Sequence, residues 1–383
     1  MSRLSELIAE LCPNGVEYKA LCAVLVSLPK GTLARGQLLS DGLYPVMNSG
    51  RDFYGWYDSK NNSGNAITIA ARGEYAGYVN YIERDFWAGG LCYPYRSANK
   101  DYALTKYVYH VLKNDEQHIM DSLVVRGSIP ALNKKDLEKL RIPVPPIEVQ
   151  REIVRVLDSF QELDDALTAE IEAREKQLEY SKARLLQSLP KECRAQLSTV
   201  ANIYDGVHQT PKYTDSGVRF VSVENINDLH GSTKFISEAD FNKNYRTSPV
   251  AGDVLMTRIG TIGKCAIVDG IEPLAYYVSL SLIRPDSDRL LPSFLRHVLE
   301  SSIGRIELRK RTIDTAVPIK INLGEIGKLL LPVPSIAEQR VISRQLDDVL
   351  VLIEALCNER DARRKQFEHY RDRLLTFLEK VTS

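Results

Sequence analysis

The chain has 383 residues, and its 50 basic and 50 acidic side chains cancel to a formal net charge of zero. That balance argues against a protein that holds nucleic acid by bulk charge alone, although local basic faces matter more than the sum. Apolar residues make up 44% and charged ones 26%, ordinary for a globular protein, and no apolar run is long enough to span a bilayer.

From the N-terminus, MSRLSELIAELCPNG lacks the basic start, apolar core and small-residue cleavage site of a secretion signal. Six scattered cysteines (Cys12, Cys22, Cys92, Cys193, Cys265, Cys357) have no metal-site spacing and read as reduced thiols of a cytoplasmic protein. Residues 1–131 carry short β-type runs, glycines and aromatics, with a strand expected at 66–70 and a short helix at 104–111. Residues 132–189 open on a short apolar stretch, pass through Pro143-Val144-Pro145, and continue as a long charged helix ending near Leu189-Pro190. Residues 190–320 return to the first composition, with strands expected at 219–223 and 254–257 and a helix at 293–308. Residues 321–383 then repeat 132–189: LNKKDLEKLRIPVPPIEVQREI is answered by INLGEIGKLLLPVPSIAEQRVI at a constant offset that holds to Leu185 and Leu374. Two similar modules in one polypeptide suit a bipartite target or two copies of one partner.

Both long helices show heptad spacing. The first seam is Ile153, Leu157, Phe160, Asp164, Leu167, Ile171, Arg174, Leu178, Ser181 and Leu185. The second is Ile342, Leu346, Val349, Ile353, Leu356, Arg360, Arg363, Phe367, Tyr370 and Leu374. The simplest arrangement packs the two helices antiparallel as a coiled coil within the chain, with polar positions such as Asp164 fixing the register. Ser335 and Glu338 form a capping-box pattern, and Pro146 takes the serine's place in the first copy. Val156 and Leu350, apolar but outside the seam, are where a docked partner would show. The expected fold class is α+β, two compact modules joined by the helix pair with pseudo-twofold symmetry.

The duplicated Pro-x-Pro, then Gln-Arg-x-Ile, then long charged helix resembles the specificity subunit of type I restriction-modification systems, over essentially the whole length. Residues 205–213 (DGVHQTPKY), residues 44–50 (YPVMNSG) and Ala71-Arg72-Gly73 are also similar to family patterns. The resemblance implies that 1–131 and 190–320 are target recognition domains, each reading half of an interrupted DNA sequence, while the spacer helices set the gap. It implies two methyltransferase subunits as partners and restriction/translocase subunits in the full complex. S-adenosylmethionine, ATP and Mg would belong to those partners, with no cofactor in this chain and no membrane contact.

The chain lacks an amino-methyltransferase tetrad, and Gly260-Thr261-Ile262-Gly263-Lys264 has the wrong spacing for a phosphate loop, so a non-catalytic role is expected. Base- and phosphate-contacting residues should lie in loops rich in Arg, Lys, Tyr and Gln. In the first module these are Arg51, Arg72, Tyr75 and Arg96. In the second they are His208, Gln209, Lys212, Tyr213, Arg258, Lys264 and the basic run Arg309, Lys310, Arg311. For each one a solvated surface role is the competing reading. Arg72 and Arg258 align near shared glycines (Gly77, Gly263), which points to phosphate contacts or scaffold rather than to sequence choice. Trp56 and Trp87 read as core. The rival functions are a stand-alone DNA methyltransferase or nuclease, and a coiled-coil adaptor that does not touch DNA.

Overall fold

The computed structural model describes residues 2–380 and divides into two compact units, Met1–Ala166 with Glu359–Ser383, and Leu167–Asn358. In the first unit, the wholly buried run Ala66–Ala70 is the strand its β-branched, apolar composition demands. It sits inside a four-stranded antiparallel sheet, between Cys92–Ser97 and Val79–Ile82, with Leu25–Ser27 outside Cys92–Ser97. A second, three-stranded sheet has Tyr44–Met47 in the middle, antiparallel to Gly55–Tyr57 and parallel to Trp87–Ala88. Two ribbons complete it, Glu17–Ala20 with Arg141–Val144 and Val124–Val125 with Ala131–Leu132.

The second unit repeats this plan strand for strand. Val254–Ile259 lies between Leu280–Pro285 and Thr261–Ile267, with Ala201–Asp205 outside. Val218–Val221 is antiparallel to Phe235–Ile236 and parallel to Leu274–Tyr276. Arg194–Gln196 with Leu330–Pro332 is a separate ribbon, whereas Thr312–Ile313 with Lys320–Ile321 joins the sheet where Lys320 pairs with Ile259, making six strands. Prolines 143 and 332 lie in two-stranded ribbons, where a missing N–H donor is tolerated.

The repeated segments form helices Ile147–Gln187 and Ile336–Leu375, of 41 and 40 residues. The first stops two residues before the expected end. At the second start Ser335 and Glu338 cap reciprocally, with Ser335 N–H donating to the carboxylate at 3.0 Å and Glu338 N–H to Ser335 Oγ at 3.4 Å. Every seam position except Arg363 is at least half-buried. In the first unit the beginning of the first helix lies against the end of the second: Phe160 packs on Phe367 and Tyr370, and Leu374 and Leu375 enter the core with Ile153 and Leu157. In the second unit the order is reversed, with Leu178 and Leu186 sharing a core with Ile342 and Leu346. The pair is therefore antiparallel in each unit. Asp164 meets Arg364 of the second helix, which donates to both its oxygens at 2.6 and 2.9 Å.

Three expectations need correction. The helix at 293–308 is two, Pro292–Glu300 and Ser302–Arg309, because Ser301 turns extended and its Oγ accepts from Gly304 N–H at 3.3 Å to cap the second. The strand at 219–223 stops at Val221, since Ser222 N–H donates to Asn225 Oδ1 and begins a turn. Val156 is buried in the first unit's own core and Leu350 packs on the second's, so neither is a free docking residue. The exposed large apolar side chains of the long helices are instead Leu163, Tyr180, Val341, Val351 and Leu352.

Candidate nucleic-acid interface

In the second unit, the loop leaving strand Ala201–Asp205 and the helix Glu238–Asn244 with the turn after it wall a cleft of about 760 Å³. His208, Gln209 and Lys212 line it from the loop, and Lys243, Asn244 and Arg246 from the helix side. The carboxylates facing it are Asp205 and Asp240, so the cationic side chains outnumber the anionic ones. Gly206 makes the loop possible: a Cβ there would stand 2.5 Å from the Tyr277 carbonyl carbon and oxygen, so the chain passes closer to its neighbour than any other residue allows. Tyr213 packs edge-on against Phe220, with Lys234 over its ring at 5.8 Å.

Arg258 is 6% exposed and lies beneath this loop. Its Nη2 donates to Asp205 Oδ1 at 2.7 Å and its Nη1 to the Ile321 carbonyl at 3.1 Å. Asp205 Oδ2 in turn meets His208 Nε2 at 2.9 Å. Lys264 is exposed on strand Thr261–Ile267. The basic run divides. Lys310 and Arg311 both pair with Glu307, at 2.7 and 2.9 Å, while Arg309 is exposed without an ion pair among the described residues. Burial pushes the Glu307 carboxyl upward, but Lys310, the Leu330 N–H and Arg311 outweigh it and hold the group ionised.

In the first unit Arg51 stacks over Tyr75 at 4.9 Å and Tyr78 at 5.6 Å, so two of the expected residues come together. Arg72 is exposed one residue before the turn that holds Tyr75. Arg96 does not join them: it donates to the carbonyls of Ser63, Gly64 and Asn65 at 2.6, 2.9 and 3.1 Å and ties that loop to its strand. Nor are Arg72 and Arg258 equivalent. Arg72 stands opposite Ala131, whereas Ile259 stands opposite Lys320, so the arginines are one register position apart. In a strand one position changes the face, which is why one is exposed and the other buried. The glycine match holds, with Gly77 and Gly263 both at positive φ, 95° and 89°. Trp56 and Trp87 are half-buried, beneath Arg84 and Tyr57 respectively.

Two buried devices tie the long helices to the globular parts, the first built on the repeated Gln-Arg motif and the second not anticipated from the sequence. Gln150 and Gln339, both 0% exposed, tie the start of each long helix to a short helix of the globular part. Nearby, His110 Nε2 meets Asp158 at 3.4 Å and His297 Nε2 meets Asp347 at 2.8 Å. Each carboxylate also takes a cation, Lys106 at 2.9 Å and Arg296 at 2.9 Å. Burial drives His297 down to about 4, against the pull of Asp347. His-Val-Leu occurs in both short helices, at 110–112 and 297–299, and was the available signal.

Residues 16–176 match the family model for the type I restriction modification DNA specificity domain. The chain is 25% identical over 364 residues to the EcoR124I/EcoR124II specificity subunit of Escherichia coli, covering 87% of each. It is 24% identical over 295 residues to the MjaVIII specificity subunit of Methanocaldococcus jannaschii, covering 70% of this chain and 69% of that one. Along most of its length the chain is similar to type I restriction-modification specificity subunits. Its fold is that of the S subunit crystallised from M. genitalium, with a TM-score of 0.69 at 18% identity over 94% of this chain and 96% of that one. No helix of the described residues is long and apolar enough to cross a membrane. Nor is there among them a group of three or more His, Cys, Asp or Glu able to hold a metal ion.

Proposed function

We propose that this chain is a specificity subunit that binds a bipartite double-stranded DNA target and directs two adenine-N6 methyltransferase subunits, and in the full complex restriction/translocase subunits, to it. In this reading 1–131 and 190–320 are the target recognition domains, and 132–189 and 321–383 the spacers that set the number of unread base pairs. S-adenosylmethionine, ATP and Mg enter with the partners. The observation that carries the reading is one strand plan built twice with different loops on it. A shared scaffold with divergent polar loops suits two readers of different sequence. Arg51, Arg72, Tyr75, His208, Gln209, Lys212, Tyr213 and Lys264 are proposed to face DNA, the run Arg309, Lys310 and Arg311 to face its backbone, and Arg96 and Arg258 to hold the loops that do.

The test is co-expression with its modification subunit in a host free of adenine methylation, followed by sequencing for N6-methyladenine. Methylation at a single interrupted motif, lost when this chain is omitted, is the expected result. A stable complex that methylates without sequence preference would refute the reading.

A further inference from the structure

His208 lies at the mouth of the second unit's cleft, with 71% of its side chain exposed and thus reachable by a ligand. Its orientation is nevertheless set from within. The Ile321 carbonyl anchors Arg258, Arg258 anchors Asp205, and Asp205 Oδ2 faces His208 Nε2 at 2.9 Å. Asp205 is restrained further because its Oδ1 accepts from the Gly206 N–H at 3.1 Å. A carboxylate only accepts, so a neutral imidazole here carries its proton on Nε2 and keeps its lone pair on Nδ1. Resting on the DNA-reading function proposed above, we infer that Asp205 fixes His208 as a hydrogen-bond acceptor and that His208 reads an exocyclic amino group of one base of its half-site. The amino groups offered in the major groove are adenine N6 and cytosine N4; the keto oxygens and purine N7 atoms would set lone pair against lone pair.

The first unit lacks this device. There Gly31 occupies the bridge position of Val207, each N–H donating to the carbonyl of the last residue of the neighbouring parallel strand, Ala88 or Tyr276, and Thr32 follows where His208 would stand. A hydroxyl both donates and accepts, so the same scaffold position carries different reading chemistry in the two halves.

The test uses the full chain assembled with its modification subunits and duplexes of the methylated motif. At each position of the second unit's half-site, adenine is replaced by purine, cytosine by 2-pyrimidinone, or a purine by its 7-deaza form. Wild type should lose about tenfold in affinity when one particular amino group is removed, as one specific hydrogen bond to a base implies. His208→Ala, at an exposed position that leaves folding intact, should be indifferent to that removal. Asp205→Ala should be largely so. If the position that couples to His208 responds to loss of N7 and not of an amino group, or if no position couples, the inference is overturned. Wild-type assembly with no sequence preference at all would bring down the DNA-reading proposal itself, and this inference with it.

Discussion

Gln150 and Gln339 make the same three hydrogen bonds, each within its own unit. The side-chain oxygen accepts from the N-cap N–H of a short helix, Leu104 or Leu291, at 2.9 Å in both. The side-chain amide donates to a carbonyl two residues earlier, Tyr102 at 3.0 Å or Arg289 at 2.8 Å. It donates again to the carbonyl that precedes the long helix, Pro145 at 2.7 Å or Pro334 at 2.8 Å. Alanine at either position removes three hydrogen bonds, one of them fully buried, which should cost about 1–3 kcal/mol. Urea unfolding of Gln339→Ala checks the magnitude, and methylome sequencing of the surviving complex should give an unchanged motif. A changed motif would mean that the glutamine reads DNA.

His297 makes stability depend on acid. It is neutral in the fold, held at about 4 against an ordinary 6.5, so between those values the unfolded chain binds the extra proton. Stability should therefore fall as pH drops from 6.5 towards 4, by about 3 kcal/mol at the lower end. Melting curves of wild type and His297→Gln across that window should converge as the pH is lowered. Parallel curves would place the sensitivity elsewhere.

The basic run should divide in its salt response. Arg309 has its charge free, whereas Lys310 and Arg311 already share Glu307. If Arg309 meets a phosphate, Arg309→Ala should reduce the slope of log affinity against log salt by about 0.9. Lys310→Ala should change it less. Titration of the assembled complex over a range of salt concentrations measures both slopes, and equal changes would remove the distinction.

Exchanging residues 190–320 for the corresponding module of a relative should change one half of the methylated motif and leave the other half intact. Methylome sequencing of the chimera decides it. An alteration in both halves would end the modular model.

The long helices, their seam and the Ser335 cap were legible because each rests on local or periodic rules that a repeat doubles in strength. The buried strand at 66–70 was legible for the same reason. What escaped depends on contacts between distant segments. Gln150 and Gln339 stood out as a motif, but their partners lie some fifty residues upstream. The two His-Val-Leu runs escaped because they align two residues out of step with the spacer repeat. Arg72 and Arg258 matched as letters, yet a single register step separates an exposed face from a buried one. Lys243 and Arg246 carried no pattern at all: a cation at a helix end ordinarily answers the helix dipole, and only the fold turns these towards the His208 loop.

The first unit is assembled from chain pieces that leave the ribosome far apart. Leu374 and Leu375 belong to its core, and the Val16 N–H donates to the Leu378 carbonyl at 2.9 Å. The second unit, Leu167–Asn358, is continuous. Synthesis therefore delivers all of the later unit before the earlier one has its last helix turns. Until then the apolar face around Ile153, Leu157 and Phe160 waits uncovered, which makes the arrival of the segment from Glu359 onward decisive for how much of the newly made protein escapes aggregation and proteolysis.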